Sequence, residues 1–310
     1  MSTAPDAVLD ACPACAEAVL ATDVFCEACG HQLAALPPVA PPEPDPAADP
    51  GDINDHSETD LERAAAASDR GRVRRRNEDA FTIRRTPGSV VAVVCDGVSA
   101  SAAADRAARA ASAAAADVLT AVEPGFDHRE RLTAAVEGAQ SAVARVPWPH
   151  DTPLAPPSCT LVAALWDGST ISVVSVGDSR AYWVGAGTAE LLTTDDSWTE
   201  HQVAGGHLSA EEAARHPNAH AITHWIGADA PDEIPVVRSV QPDGPGHLVL
   251  CSDGLWNYTP TPDALAEVLR AQPGAAPIGL ARCLVDHALD RGGHDNVTVA
   301  VIAITPGELP

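Results

Sequence analysis

Hydrophobic and polar residues follow regular patterns from about residue 62 onward. Residues 90–95 form a continuous, largely β-branched run, which predicts a buried strand. Two apolar segments flank the dipeptide Asp167-Gly168, a combination typical of a β-hairpin. The complete pattern predicts strands over residues 90–95, 158–166, 170–176, 180–184, 189–192, 236–240, 247–251 and 296–304.

Helices are predicted between these groups of strands. Residues 102–122 are rich in alanine and interrupted by charged side chains, which suits a helix better than a strand. Helical patterns also cover residues 129–146, 262–271 and 276–291. Because the helices lie in pairs between clusters of strands, the order favours α+β layers over a repeating βαβ unit.

The first 33 residues differ from the rest, because they contain two Cys-x-x-Cys motifs. Two such motifs place four thiolates around one Zn²⁺ ion. The alternative is a pair of disulfides in a secreted peptide, but residues 1–25 show neither the basic nor the apolar segment of a secretory signal. The sequence therefore predicts a zinc-ribbon-like module whose structural Zn²⁺ is bound by Cys12, Cys15, Cys26 and Cys29.

A proline-rich and acidic stretch separates this module from the remainder of the chain. Residues 34–61 contain seven prolines and almost no large apolar side chains, which predicts an extended linker. The predicted organisation is a zinc module at 1–33, a linker at 34–61 and one large domain at 62–306. The other cysteines lie singly in apolar segments and are expected to be core residues; they are Cys95, Cys159, Cys251 and Cys283.

The chain is strongly acidic, with 43 Asp and Glu against 19 basic residues, all of them arginine, and a net charge of −24. Such a charge repels phosphate backbones and anionic lipids, so general binding of nucleic acid or membrane surfaces is disfavoured. A zinc ribbon that binds nucleic acid is also disfavoured, because residues 1–33 contain no Lys or Arg. Without a run of 18 apolar residues, we expect no membrane span and a cytoplasmic protein.

Five acidic motifs lie at the ends of predicted strands, most of them beside glycine. A single Asp-Gly at such a place is usually a turn. Five along one domain indicate carboxylates that converge on hard cations with oxygen ligands. The absence of His from the set favours Mg²⁺ or Mn²⁺ over Zn²⁺. The residues are Asp79, Asp96, Asp178, Asp253 and Asp295.

Arginine is concentrated just upstream of these motifs, at five of the seven positions 70–76. A solvated basic patch or a nucleic-acid arm is one interpretation. The planar guanidinium fork matches phosphate oxygens, however, so in an otherwise acidic protein the cluster favours the binding of a specific anion.

Together the motifs resemble those of the metal-dependent Ser/Thr protein phosphatases of type 2C, especially the bacterial branch. The resemblance covers about residues 66–304. It implies a four-layer αββα sandwich with a binuclear metal centre at one end of the sheets. The matching segments, in the family's order, are 68–79, 95–97, 176–180, the flap-like 211–227, 250–256 and 295–299.

The resemblance implies hydrolysis of phosphoserine and phosphothreonine by attack of a metal-bridging hydroxide. The cofactors would be two Mn²⁺ or Mg²⁺ ions, with a third, weaker one. Asp96 would bridge both principal metals, and the carbonyl of Gly97 would bind one of them. Asp253 and Asp295 would bind the other, and Asp178 would serve the third ion.

Three further roles follow from the same resemblance. Asp79 would orient water, Asn296 would support Asp295, and Arg74 would hold the substrate phosphate. Phosphorylated proteins, and a cognate Ser/Thr kinase or its targets, are the implied partners. The implied catalytic set is Arg74, Asp79, Asp96, Asp253 and Asp295.

The sequence departs from the family pattern in two places. Residues 98–102 replace a glycine-rich stretch that often carries a histidine, so no general acid is assigned. His294 is a candidate acid but is more simply a surface histidine. Residues 157–160 also depart from the usual motif. An alternative function is a catalytically weak scaffold that binds phosphoproteins, with the zinc module as its docking element.

Overall fold

The computed structural model describes residues 8–9, 19–20, 56–121, 127–219, 221–231 and 235–308. Two short strands, β1 (Val8–Leu9) and β2 (Val19–Leu20), form an antiparallel pair. The four cysteines of the predicted zinc module, Cys12, Cys15, Cys26 and Cys29, lie outside the described residues.

From residue 56 onward, strands alternate with pairs of helices. The strands are β3 (His56–Asp60), β4 (Ala64–Asp69), β5 (Ala80–Thr86), β6 (Ser89–Cys95), β7 (Ser158–Cys159), β8 (Leu161–Trp166), β9 (Ile171–Val176), β10 (Arg180–Gly185), β11 (Ala189–Leu191), β12 (Ile226–Gly227), β13 (Val237–Val240), β14 (Gly246–Cys251) and β15 (Val297–Ile304). The helices are α1 (Ala104–Ala121), α2 (His128–Val143), α3 (Trp198–Ala204), α4 (Ala210–Ala214), α5 (Asp253–Trp256), α6 (Pro262–Arg270) and α7 (Pro277–Asp290).

Most of these strands form two antiparallel sheets. The first sheet has six strands in the spatial order β11-β10-β14-β15-β4-β3, and the second has five in the order β13-β9-β8-β6-β5. A small additional sheet pairs β12 with β7. In the second sheet, β8 and β9 form the hairpin predicted around Asp167-Gly168, with Trp166 opposite Ile171.

Each sheet is covered on both faces, which explains the uninterrupted apolar runs in the sequence. In β6, Val90, Ala92 and Val94 pack between the two sheets. Val91 and Val93 point the other way, into a cluster with the alanine-rich face of α1 and with α2. On the far side, α6 and α7 cover the outer face of the first sheet. The order of layers is therefore helices, sheet, sheet, helices.

The structure adds elements that the hydrophobic pattern does not predict. Strand β3 falls inside the stretch 34–61 that the composition assigns to a linker; its sequence, His-Ser-Glu-Thr-Asp, has no apolar residue, because it is an edge strand. The predicted strand 158–166 is interrupted at Thr160, which serves the site described below. Among the described helices, none is long and apolar enough to cross a membrane.

Candidate active site

The five aspartates singled out from the sequence lie where strands of both sheets begin or end. Asp79 precedes β5, and Asp96 follows β6. Asp178 lies between β9 and β10, Asp253 begins α5 directly after β14, and Asp295 precedes β15. The contacts described below place these carboxylates at one end of the two sheets.

Asp79 is a buried carboxylate that is held by the opposite sheet. The hydroxyl of Ser252 donates to Asp79 Oδ2 at 2.7 Å and accepts from the backbone N–H of Thr298 at 3.0 Å. The other oxygen, Oδ1, is buried without a hydrogen-bond partner among the described residues. Burial, followed by the charges of Asp253 and Asp295, raises the pKa of Asp79 to about 7 despite the Ser252 hydrogen bond.

Asp96 is fixed through its backbone by Thr160. The N–H of Thr160 donates to the Asp96 carbonyl at 2.7 Å, and Thr160 Oγ1 accepts from the Asp96 N–H at 3.1 Å. Burial raises the pKa of Asp96 well above its usual range, and so do the carboxylates of four other residues. The contacts of the neighbouring segments bring these carboxylates to the same end of the sheets: Ser252, next to Asp253, binds Asp79, and Trp256, in the same segment, binds the carbonyl of Asp178. The four neighbours are Asp79, Asp253, Asp178 and Asp295.

Two glycines next to these aspartates allow the backbones to approach closely. A Cβ atom on Gly97 would lie 2.7 Å from the carbonyl oxygens of Glu78 and Ala104. A Cβ atom on Gly254 would lie 1.9 Å from the carbonyl oxygen of Asn296. Glycine is therefore required at both positions because neighbouring backbone segments of the chain pack against it. This close packing brings Asp253 beside the segment that carries Asp295.

The loop that carries Asp178 is held from one side by an aromatic and an ionic contact. Trp256 Nε1 donates to the Asp178 carbonyl at 2.8 Å, and the Arg180 guanidinium stacks 3.8 Å above the Trp256 ring. Arg180 also forms a largely buried ion pair with Asp195 at 2.7 Å. Burial, followed by the charges of Asp253 and Asp195, raises the pKa of Asp178 to about 8.

The same loop is held from the other side by Asp196. Its Oδ2 accepts from the N–H of Gly177 at 3.0 Å, and its N–H donates to the Gly177 carbonyl at 2.8 Å. Asp195 and Asp196 directly precede Ser197, the N-cap of α3. Asp195 and Asp196, which precede the flap-like segment, are therefore bonded to the two ends of the Asp178 loop, at Arg180 and Gly177.

Arg74 and Asp295 form an ion pair in this structure, with a separation of 2.5 Å between Nη2 and Oδ2. Arg74 Nη1 also donates to the Ser99 hydroxyl at 3.0 Å. The Asp295 carboxylate, with burial opposing it, raises the pKa of the Arg74 guanidinium. Asp295 Oδ1 accepts from the N–H of Asn296 at 2.8 Å. The candidate anion-binding arginine is thus already in contact with the carboxylate cluster.

We name residues 70–78 the arginine loop. Its two ends are joined by the side chain of Asn296, whose Nδ2 donates to the carbonyls of Arg70 at 2.8 Å and Arg76 at 3.0 Å. Asn296 Oδ1 accepts from the N–H of Glu78 at 2.8 Å. One buried amide therefore fixes the base of the loop next to Asp295.

The donor set fits divalent cations that prefer oxygen ligands. Carboxylates that repel one another at close range, and a buried Asp79 oxygen without a protein donor, are stabilised by a positive ion. Among the described residues, no group of three or more His, Cys, Asp or Glu side chains is already arranged to hold a metal ion. Asp295 is paired with Arg74 instead, so binding would require this carboxylate to change partner.

The structure therefore brings together the predicted residues Arg74, Asp79, Asp96, Asp178, Asp253, Asp295, Gly97 and Asn296. His294 lies on the surface and its Nδ1 is 2.7 Å from the Tyr258 hydroxyl. The sequence motifs did not reveal the residues that hold the aspartates in place: Thr160, Asp195, Asp196, Ser252 and Trp256. Asp195 and Asp196 lie outside the quoted motifs, whereas Ser252 and Trp256 lie inside one and could have been found there.

Known proteins resemble this chain in both sequence and fold. The family model for Protein phosphatase 2C matches residues 69–276. The chain belongs to the protein phosphatase 2C family. The serine/threonine protein phosphatase PstP of Mycobacterium tuberculosis is 35% identical over 240 residues, which is 77% of this chain and 44% of that relative. The chain thus spans less than half the length of this curated relative.

Solved structures resemble the fold over most of the chain. The serine/threonine phosphatase Stp1 from Staphylococcus aureus superposes with a TM-score of 0.68 at 26% identity, over 79% of this chain and 96% of that one. The catalytic domain of PstP in complex with two manganese ions has a TM-score of 0.62 at 30% identity, over 78% and 98% of the two chains.

Proposed function

We propose that this chain is a metal-dependent protein serine/threonine phosphatase. The observation that supports this most is the convergence of five aspartates and Arg74 at one end of two packed sheets. The manganese ions in the PstP catalytic domain support two Mn²⁺ ions here, with Mg²⁺ as the chemical alternative. The substrates would be proteins that carry phosphoserine or phosphothreonine, and a Ser/Thr kinase acting on the same proteins would be the partner.

Specific residues would hold the cations. Asp96, with the carbonyl of Gly97, and the pair Asp253 and Asp295 would bind the two principal ions, and Asp178 a third. When bound, the ions would lower the pKa of water and neutralise charge on the phosphoryl oxygens. The backbone contacts from Thr160 and Trp256 keep Asp96 and Asp178 in place, so these carboxylates need little reorganisation.

The protein's own groups complete the chemistry. Arg74 would exchange Asp295 for the phosphate and bind two of its oxygens through the guanidinium fork. Asp79, held by Ser252, would orient the attacking water with its second oxygen. Among the described residues, no side chain has a clear role as the acid for the leaving group, so the serine or threonine oxygen would take its proton from water.

We propose further that Cys12, Cys15, Cys26 and Cys29 bind one structural Zn²⁺ in a module tethered to the phosphatase domain. The two Cys-x-x-Cys motifs support this proposal. Metal analysis of the purified full chain should find about one zinc per protein, and a Cys26→Ser/Cys29→Ser variant should lose it. Zinc retained by that variant would overturn the proposal.

The proposed activity is tested by hydrolysis of para-nitrophenyl phosphate and of a phosphothreonine peptide. With Mn²⁺, the protein should turn over both substrates, and EDTA should abolish turnover. Asp253→Asn should reduce the rate by at least a hundredfold, whereas Asp263→Asn, an exposed aspartate in the first turn of α6, should leave it unchanged. A folded, metal-loaded protein without turnover would favour the phosphoprotein-binding scaffold.

A further inference from the structure

The arginine loop presents two kinds of arginine. Arg74 turns towards Asp295, and Arg72 is bound by the Leu289 carbonyl at 2.8 Å, with Asp290 at 3.7 Å. Arg75 is exposed and has no hydrogen-bond or ion-pair partner among the described residues. Arg76 is half exposed, and its nearest carboxylate oxygen, on Asp105, is 4.0 Å away. Arg75 and Arg76, which we call the rim of the site, therefore make few contacts that stabilise the fold.

The backbone that carries these two arginines is fixed next to the site. Asn296 binds the carbonyls at both ends of the loop, including that of Arg76 itself. Successive Cα atoms lie about 3.8 Å apart, and an extended peptide advances about 3.3–3.6 Å per residue. In a substrate whose phosphate contacts Arg74, the residues about one to four positions from the phosphorylated residue would therefore lie near Arg75 and Arg76.

The charge of the surroundings decides which peptides suit this rim. The chain has a net charge of −24, which in general disfavours the approach of an acidic peptide. The exposed guanidinium groups of Arg75 and Arg76 offset that repulsion where the substrate must lie.

We propose that Arg75 and Arg76 recognise carboxylates that flank the phosphorylated residue, so that acid-flanked phosphoproteins are the preferred substrates. This inference rests on the proposed phosphatase function. Arg75 and Arg76 are specificity residues that contact the flanking peptide and take no part in the cleavage of the phosphate ester.

The test compares phosphothreonine peptides that differ only in their flanks, with Asp, Ala or Lys at the neighbouring positions. Two exposed ion pairs correspond to about a 2- to 30-fold advantage in kcat/KM for the Asp peptide over the Ala peptide at low salt. The advantage should appear in KM more than in kcat. It should shrink in 1 M salt, where the screening length is about 3 Å.

Charge reversal supplies the decisive variant. Arg75→Glu/Arg76→Glu should reverse the order of the Asp and Lys peptides while leaving turnover of para-nitrophenyl phosphate unchanged. The matched control is Arg84→Glu/Arg85→Glu, an exposed pair on β5 about 13–17 Å further along the strand from Ala80, with the same change in net charge. This control should keep the wild-type preference.

Two results would overturn the inference. Equal kcat/KM values for the three peptides with the wild-type protein would exclude recognition of the flanks. If both double variants changed the preference among the three peptides equally, the preference would depend on the net charge of the protein and not on Arg75 and Arg76. If wild-type protein with Mn²⁺ hydrolyses neither the peptides nor the aryl phosphate, the proposed function itself fails, and this inference falls with it.

Discussion

Replacement of Asn296 by alanine should loosen the arginine loop. The side chain of Asn296 is 3% exposed and makes three hydrogen bonds to backbone groups of Arg70, Arg76 and Glu78. Alanine removes all three bonds without adding bulk. It also leaves two carbonyls and one N–H at the base of the loop without their hydrogen-bond partner.

The size of the effect follows from these contacts. A typical hydrogen bond contributes about 0.5–1.5 kcal/mol net, so the loss of three lowers the free energy of unfolding by about 2–4 kcal/mol. Part of this loss is recovered if water reaches the freed groups. Because the bonds join the two ends of one loop, local opening of residues 70–78 should become easier by a similar amount.

Two assays separate the global from the local effect. Urea unfolding gives the change in stability, and limited digestion with trypsin, which cleaves after arginine, reports opening of the loop in the native protein. Asn218→Ala is the control, since the described hydrogen bonds of Asn218 use only its backbone. If Asn296→Ala matches this control in both urea midpoint and cleavage rate, the proposed anchoring by Asn296 is wrong.

Four further predictions follow from the site. Gly254→Ala should unfold at lower urea concentration and lose Mn²⁺-dependent turnover, because its Cβ would lie 1.9 Å from the Asn296 carbonyl; wild-type behaviour would contradict the packing described. Trp256→Phe removes the bond to the Asp178 carbonyl and should cost about 1 kcal/mol of stability in urea unfolding, with weaker activation by Mn²⁺ in a titration. The pKa of Asp178 is about 8 in the folded protein and about 3.9 in the unfolded chain, so the folded state binds the proton more tightly. In EDTA, the melting temperature should therefore fall as the pH rises from 5 to 8. Asp178→Asn should reduce that fall in melting temperature. An unchanged slope of melting temperature against pH in this variant would contradict the raised pKa of Asp178. Deletion of residues 1–54, which spares β3, should leave turnover of para-nitrophenyl phosphate intact, whereas its collapse would show that the N-terminal segment and the domain are not independent.

Much of the core was predictable because both sheets are buried on both faces. Runs such as Val90–Cys95 have no solvent-facing side, so their apolar residues are continuous and easy to detect. The alanine-rich helix α1 and the hairpin at Asp167-Gly168 were likewise confirmed. Edge strand β3 and the short helices α3, α4 and α5 carry no such signal, because they are too short or too polar.

The site was only partly predictable for a different reason. Aspartates beside glycine at strand ends are visible in the sequence, and the structure brings them together. The residues that hold them, such as Thr160 and Asp196, act through backbone hydrogen bonds between segments distant in sequence. The pairing of Arg74 with Asp295 could not be predicted, since it depends on how the arginine loop folds back onto the site.

Calorimetric titration of the EDTA-stripped protein with Mn²⁺, alongside a folded Asp96→Asn variant, tests the central claim most directly. Five converging carboxylates should bind at least two Mn²⁺ ions in the wild-type chain. Loss of the Asp96 carboxylate, whose pKa is raised by the other four aspartates, should eliminate at least one of these sites or weaken its affinity for Mn²⁺ more than tenfold. Unchanged stoichiometry and affinity in the variant, or no binding by the folded wild-type protein, would contradict the assignment of this cluster as the metal centre.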